Sequence, residues 1–372
     1  MKILAIETSC DETAAAIVED GRKVLANIIA SQIDLHAKTG GVVPEVAARE
    51  HVLKMIPVLE ECLSVAGCGW DDIDALAITR GPGLVSSLII GTETANVISY
   101  VKGKPLIPVQ HIVGHIYSNW LDVESEIEFP VLVLTVSGGH NELILMKGHH
   151  QFEILGETRD DAAGEAFDKV ARILGLGYPG GPAISKIALE GDGSRFKLPR
   201  AFLEKGSLDF SFSGLKTAVL EVVRKATVPG DNSRNRIPNS QVVRNNRLDT
   251  VPGDNSQNEN TKSQFLADLA ASFQEAVVEV LAEKLMIAAR KFPEVKELHL
   301  AGGVSANLRL REVIQQKLEK LSQGMTFRHP KSISYCTDNA AMIAAAGYYL
   351  YQLSPDKFRP NSNIIPTTSF EI

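Results

Sequence analysis

Two stretches of this chain begin alike, with short β-rich strands folded back by tight turns before any long helix, and that echo constrains the fold more than any other feature. The first predicts strands over 2–7, 13–18 and 23–30, with the polar turn Thr8-Ser9-Cys10-Asp11-Glu12 between the first two. The second predicts strands over 131–136, 142–146 and 152–155, with Ser137-Gly138-Gly139-His140 as its first turn. Between them Pro44 opens a helix on which Leu53, Ile56, Leu59 and Leu63 recur at threes and fours to about Ala66, which predicts a buried face. A strand over 73–79 breaks at Arg80-Gly81-Pro82-Gly83, a helix runs to about Tyr100, and a strand over 105–109 leads into a helix at His111. Strand and helix alternate as in an α/β lobe, and 372 residues exceed one ordinary core, so two lobes are expected.

The second half continues with a helix from about Gly164 and the loop Gly175-Leu-Gly-Tyr-Pro-Gly-Gly-Pro182. The segment Asp209-Phe-Ser-Phe-Ser-Gly-Leu-Lys-Thr217 follows, then a long helix over 264–290, a strand over 298–301, a helix to about Leu321 and a last helix from Asn339. Residues 226–262 stand apart. They are rich in Asn, Ser, Asp, Arg and Gly, cannot bury enough apolar surface to offset ordering, and are expected to form a mobile loop. The heptapeptide Thr-Val-Pro-Gly-Asp-Asn-Ser occurs there twice, at 227–233 and 250–256, which reads as a local duplication inserted between two helices. Deleting one copy is expected to leave folding and activity intact.

A net charge of −7, from 38 basic and 45 acidic residues, argues against a generally cationic coat, so any RNA contact must come from a local patch. The basic run Arg224, Lys225, Arg234, Arg236, Arg244 and Arg247 reads first as a solvated loop. Cys10, Cys62, Cys68 and Cys336 form no CxxC pair, which suits reduced thiols. The apolar run after Met1-Lys2 is too short for a signal peptide, and none is long enough to span a bilayer, so a cytoplasmic location without membrane contact is expected.

His111 and His115 lie one helical turn apart, so both imidazoles reach the same side of a regular helix and one ion. Two unrelated helix histidines, one packed and one solvated, remain the alternative. Three glycine turns add weight to a ligand site, because backbone N–H groups approach a phosphate where no side chain intervenes. Ser137-Gly138-Gly139 follows a Val-rich strand; Ala301-Gly302-Gly303-Val304-Ser305-Ala306-Asn307 follows another and opens a helix, with Asn307 available to a ribose or base; Tyr178-Pro179-Gly180-Gly181-Pro182 is the third.

This layout resembles the actin, sugar-kinase and heat-shock ATPase (ASKHA) superfamily. Its expected form is a two-lobed α/β actin-like ATPase fold with the active site in the interlobe cleft. Residues 1–129 with 335–372 are expected to form one lobe, and 130–334 the other. Nine motifs in one order carry a closer resemblance: Ile6-Glu-Thr-Ser-Cys-Asp-Glu-Thr13, Gly81-Pro-Gly83, His111-Ile-Val-Gly-His115, Val136-Ser-Gly-Gly-His140, Asp161-Ala-Ala-Gly-Glu-Ala-Phe-Asp168, Tyr178-Pro-Gly-Gly-Pro182, Phe210-Ser-Phe-Ser-Gly-Leu-Lys216, Ala301-Gly-Gly-Val-Ser-Ala-Asn307 and Thr337-Asp-Asn-Ala-Ala-Met-Ile343. Together they resemble the bacterial TsaD (formerly Gcp) family of tRNA N6-adenosine threonylcarbamoyltransferases.

The resemblance implies that His111, His115 and Asp338 bind one divalent metal per subunit, Fe(2+) first and Zn(2+) second. By the same motif matching Thr135, Val136, Ser137, Gly138, Gly139, Asp168, Gly181 and Asn307 are expected to hold threonylcarbamoyl-AMP. The implied reaction carries its threonylcarbamoyl group to an adenine beside a tRNA anticodon, with TsaB-like and TsaE-like partner proteins. Asp11 and Glu12 are the candidates for base or positioning roles, with solvated turn residues as the plain alternative; Lys216 and Arg309 are the expected RNA contacts. A metallopeptidase is the first rival, but Ile112, Val113 and Gly114 supply no glutamate as HExxH does. A kinase or ATPase of the same fold is the second, with Glu7 and Asp11 organising magnesium; magnesium, however, needs no histidine pair.

Overall fold

The computed structural model describes residues 1–204, 206–227, 243–244, 247–248, 256–321, 324–360 and 363–368. The first strand, β1 (Lys2–Glu7), is apolar on both sides because both sides are covered. Ile3 and Ala5 enter one core and Leu4 and Ile6 another, the period-two division that a pleated strand imposes. β2 (Glu12–Glu19) and β3 (Lys23–Ser31) continue the sheet antiparallel. β4 (Ala75–Gly81) lies parallel on the other side of β1, and β5 (Leu106–Gln110) lies parallel beyond it. The order is β3-β2-β1-β4-β5. The helices of this half are α1 (Ile33–Ala37), α2 (Pro44–Ala66), α3 (Val85–Lys102) and α4 (His111–Tyr117).

The second half repeats the plan. β6 (Val131–Val136), β7 (Asn141–Gly148) and β8 (Gln151–Glu157) form an antiparallel meander. α5 (Ala163–Leu174), α6 (Gly180–Ala188) and α7 (Ser213–Thr227) follow, then the short antiparallel pair β9 (Val243–Arg244) and β10 (Arg247–Leu248) and the long α8 (Ser256–Lys291). β11 (Glu297–Ala301) joins β6 in parallel and β12 (Thr326–Arg328) joins β11, giving the order β12-β11-β6-β7-β8. α9 (Leu308–Leu321) lies between those strands in sequence, and α10 (Ala340–Leu353) is the last α-helix among the described residues.

Three apolar clusters hold these layers. α2 packs Met55, Val58, Leu59 and Cys62 against Leu4, Ile6, Leu76 and Ile78 of the first sheet. α5 to α9 cover the Leu132, Leu134 and Val136 side of the second sheet. The third cluster lies between the sheets, where Val113 and Ile116 of α4 and the wholly buried run Ala340–Gly347 of α10 meet Ile3, Ala5 and Val109 on one side and Val131, Val133, Ile144 and Met146 on the other. α10 is apolar all round because it has no solvent face along that run. Alanine and glycine let it approach closely: a Cβ on Gly347 would stand 2.9 Å from Ala77 Cβ.

Three expectations change. Leu53 and Ile56 of α2 face outward, 65% and 58% exposed, while the buried stripe is Ala47, His51, Met55, Val58, Leu59 and Cys62. His51 is a buried polar member of that stripe: its Nε2 donates to Cys10 O at 3.0 Å and its Nδ1 pairs with the Thr13 hydroxyl at 2.8 Å, so the inward face was disguised by a polar side chain. The glycine loop from Gly175 ends sooner than its composition suggests, with α6 starting at Gly180. Helices α7 and α8 also reach into the ends of 226–262; most of that segment, including most of both heptapeptide copies, lies outside the described residues.

Candidate metal centre

α4 starts directly at the end of β5, so His111 is its first residue and His115 follows one turn later. Gln110 caps the helix by accepting from Val113 N at 2.8 Å. Gly114 makes room for α10: a Cβ there would stand 2.7 Å from Ile343 Cδ1 and 3.3 Å from Met342 Cγ. Asn339 caps α10 through Met342 N, and the residue before it, Asp338, thereby arrives over α4. His115 Nε2 lies 3.3 Å and His111 Nε2 3.5 Å from Asp338 Oδ1, and ligand atoms of the three residues all fall within 4.8 Å of one another. Two imidazoles and one carboxylate, drawn from sequence positions more than two hundred residues apart, therefore share one spot.

Both Nε2 atoms face the carboxylate, and Glu7 explains why for His111. Glu7 is fully buried at the end of β1 and its Oε2 stands 3.2 Å from His111 Nδ1. It also accepts from Ser9 N at 2.5 Å and from the Thr79 hydroxyl. The Ser9 hydroxyl is a further neighbour of His111 Nδ1, at 3.2 Å. A carboxylate on Nδ1 keeps the proton there and leaves the Nε2 lone pair facing Asp338, the arrangement that metal-binding histidines require. Gly83 supports the same loop, since a Cβ on it would stand 2.5 Å from Ser9 O.

The electrostatics suit a cation. Burial disfavours charge on all three residues, yet the carboxylates Asp338 and Glu7 push His111 up to about 9, and the histidines pull Asp338 down to about 2. Burial lowers His115, whose Nδ1 is buried with no hydrogen-bond partner. Two anions thus surround imidazoles in a largely buried site, and a bound cation compensates them as a proton does. The donor set fits a borderline transition metal with open coordination positions, better than a hard all-oxygen cage.

The other expected residues divide into two groups. Near the metal centre, Asp11 is buried and Glu12 begins β2, its Oε1 accepting from the Ser31 hydroxyl at 3.2 Å; burial, then Asp338 and Asp11, hold the Glu12 carboxyl well above its usual range. Across the cleft, Thr135 and Val136 end β6 fully buried, and Ser137 N donates to His140 O at 2.8 Å. Gly138 and Gly139 are exposed with no atom within 4 Å of a built Cβ, so their peptides are accessible. Burial and then the His111 and His115 charges lower His140, which places this turn within electrostatic reach of the metal centre.

The second group lies in the second half of the chain. Asp168 Oδ1 accepts Gly180 N at 2.7 Å, and Gly180 must be glycine in this packing because a Cβ would stand 2.6 Å from Asp168 Cα and Phe167 O. Gly181 follows on the first turn of α6. Gly302 has φ +83° and a Cβ there would stand 2.4 Å from Val136 O, so this glycine turn rests on the β6 backbone. Asn307 is engaged within the protein: its amide donates to Ser185 Oγ at 3.1 Å and Gln274 Oε1 at 2.9 Å, and its Oδ1 accepts Leu310 N. Gln274 also lines a cavity of about 820 Å³ with Leu189, Leu308 and Arg309. Arg309, expected at RNA, is held by Glu275 and Glu312 at 2.6 and 2.8 Å.

The sequence profile of the TsaD family, tRNA N6-adenosine threonylcarbamoyltransferase, matches residues 23–345. The chain belongs to this family. A Thermomicrobium roseum protein of that name is 53% identical over 357 residues, covering 95% of this chain and 92% of its own. The Bacillus subtilis protein of that name is 48% identical over 354 residues, covering 95% and 91%. Distant structures show the same fold: component A of Acidaminococcus fermentans (R)-2-hydroxyglutaryl-CoA dehydratase, at TM-score 0.50 and 14% identity, covers 95% of this chain and 99% of that one. Full-length HypF reaches TM-score 0.54 at 13% identity, covering 95% of this chain and 46% of that one. The fold is thus the α/β architecture of actin-like ATPases with two mixed sheets. Among the described residues, no helix is long and apolar enough to cross a membrane.

In the sequence Glu7 is only a carboxylate ending an apolar strand, a magnesium organiser in the kinase reading. Its work on His111 depends on β1 and β5 sharing a sheet, which no local pattern encodes.

Proposed function

We propose that this protein transfers the threonylcarbamoyl group of threonylcarbamoyl-AMP to N6 of the adenosine adjacent to the anticodon in tRNAs that read ANN codons. Membership of the family over residues 23–345 supports the reaction, and the convergence of His111, His115 and Asp338 carries the reading of the site. The three residues would hold one divalent ion, Fe(2+) in preference to Zn(2+). When bound, that ion supplies Lewis acidity beside the donor.

The rest is the work of the chain. AMP is a good leaving group, so catalysis consists mainly of placing the amine against the carbamoyl carbon and steadying charge on the departing phosphate. Thr135, Val136, Ser137, Gly138 and Gly139 form the phosphate-side cradle in this reading, with the open Gly138 and Gly139 peptides as donors. Asp168, Gly181 and Asn307 frame the nucleoside side; Asp168 keeps one oxygen beyond the Gly180 N bond for a ribose hydroxyl, and Asn307 acts by fixing Ser185 and Gln274. Asp11 and Glu12 face the metal centre from the first hairpin and position the substrates or accept a proton; amide replacements at each should slow transfer with donor binding kept. Residues 1–129 with 335–372 and residues 130–334 act as two lobes around the substrates.

TsaB-like and TsaE-like proteins are the proposed partners, and the cytoplasm, where tRNA is modified, the proposed location. The test supplies the purified chain, those partners, threonylcarbamoyl-AMP and unmodified tRNA, and measures N6-threonylcarbamoyladenosine by mass spectrometry of the digested RNA. Formation of the nucleoside, lost in His111→Ala and Asp338→Ala, is expected. Equal yield from Asp338→Ala would refute the site, and metal-dependent cleavage of denatured protein without nucleoside formation would refute the reaction.

A further inference from the structure

A single row of side chains crosses the second sheet just below the Ser137-Gly138-Gly139 turn. Ala301 of β11 is opposite Thr135 of β6, Thr135 opposite Glu142 of β7, and Glu142 opposite Glu157 of β8. Cross-strand partners project to the same side of a sheet, with Cβ atoms about 5 Å apart. The side is settled by the alternation: Val131, Val133, Ile144 and Met146 belong to the cluster between the sheets, and Thr135 and Glu142 continue that series at period two. The row therefore faces α4 and α10, the helices that bring His111, His115 and Asp338 together.

Two members of the row are polar and unsatisfied. Thr135 is fully buried and its Oγ1 has no hydrogen-bond partner. Among the described residues, Glu142 carries the only carboxylate oxygen, Oε2, that is buried without one. A buried unpartnered polar atom costs about 1–3 kcal/mol, a burden that a ligand group at that place would relieve. Asp11 and Glu12 differ: their setting is dominated by the metal ligands, and Glu12 is already bonded to Ser31.

We propose that Glu142, beside Thr135, forms the acceptor subsite and takes the proton released by the adenine amine. The inference rests on the transferase reading. As the N6 lone pair forms its bond to the carbamoyl carbon, the bond from that carbon to the AMP oxygen breaks, the electron pair leaves on AMP, and one N6 proton passes to Glu142 Oε2. The Thr135 hydroxyl, one strand away, holds the donor's carbamoyl carbonyl at that level. Burial and then the Glu157 charge push the Glu142 carboxyl up to about 7, the range in which a carboxylate is an efficient proton acceptor at neutral pH. Of the elements around it, β6 brings the Thr135 hydroxyl at this level and β8 brings Glu157, the charge that acts on Glu142, while α4 and the segment before α10 carry His111, His115 and Asp338.

Single-turnover transfer from threonylcarbamoyl-AMP to unmodified tRNA, followed from pH 5.5 to 8.5 with the partner proteins present, tests this. Glu142→Gln should lower the transfer rate about 10²–10⁴-fold, leave donor affinity within twofold, and abolish the acidic limb near pH 7. Glu142→Asp should recover part of the rate. Glu157→Gln, at an exposed position, should keep the plateau rate and move the limb to lower pH. A Glu142→Gln enzyme within twofold of the unsubstituted rate, or a limb that Glu157→Gln leaves in place, overturns the assignment. If the unsubstituted protein makes no modified nucleoside, the transferase reading itself fails, an outcome separable from the other two.

Discussion

Replacing Glu7 by glutamine removes the charge and turns one acceptor oxygen into an NH₂ donor with almost no change of volume, which makes it a sharp probe of how the centre is oriented. The glutamine carbonyl can still accept Ser9 N, and the Thr79 hydroxyl can turn to accept from the new amide, so two of the three contacts survive. The contact with His111 Nδ1 at 3.2 Å cannot survive unchanged, because an NH₂ group now faces a ring N–H. The ring relieves the clash by moving its proton to Nε2, the atom that faces Asp338, and a protonated nitrogen is no ligand. Loss of an outer partner of this kind weakens metal binding about 10–100-fold, or about 1.4–2.7 kcal/mol. The fold should lose only about 1 kcal/mol, one net hydrogen bond. Competition with a chromophoric chelator for Zn²⁺ gives the affinity, urea unfolding gives the stability, and long-range ¹H–¹⁵N correlation of the imidazoles gives the tautomer. A Glu7→Gln protein that binds Zn²⁺ within twofold of the original, with the proton still on His111 Nδ1, would refute the reasoning.

Other expectations concern the framework. Gly302→Ala places a side chain at φ +83° and 2.4 Å from Val136 O, backbone against backbone, so a loss of at least about 2 kcal/mol is expected in urea unfolding. Leu53→Ser should change stability by under about 0.5 kcal/mol, whereas Met55→Ala, two residues on and buried, should cost about 2–5 kcal/mol. Despite burial, His299 and Arg328 hold Glu297 down at about 2, so its contribution is present above its ordinary value near 4.5 and is lost as pH falls towards 2. Glu297→Gln should accordingly flatten the pH dependence of the melting temperature between 4.5 and 2, and an unchanged slope would contradict this.

Legibility followed the range of the interaction. The apolar runs in 2–18 and 131–146, each broken by a polar or glycine turn, gave both hairpins to within a residue or two, because a strand covered on both sides is apolar at every position. The pairing of His111 with His115 was readable from helical spacing, and Asp338 only through the motif resemblance. The α2 face was misjudged because leucine and isoleucine at regular spacing outweighed His51, whose inward direction becomes sensible once Thr13 and Cys10 O are in place. Arg309 stands in a motif and pairs with Glu312 one turn along α9, a contact local spacing could show, and with Glu275, a partner set by the packing of α8 on α9.

By itself the sequence determined the α/β alternation, the glycine turns and the chemical types available for a site, since backbone sterics and side-chain periodicity act over a few residues. Only the tertiary structure decided that Glu7 holds one ring of the pair, that α10 carries Asp338 across Gly114, and that Thr135, Glu142 and Glu157 stand in one row. Those contacts join residues from separate strands and helices, and their energies exist only when burial excludes water from between them.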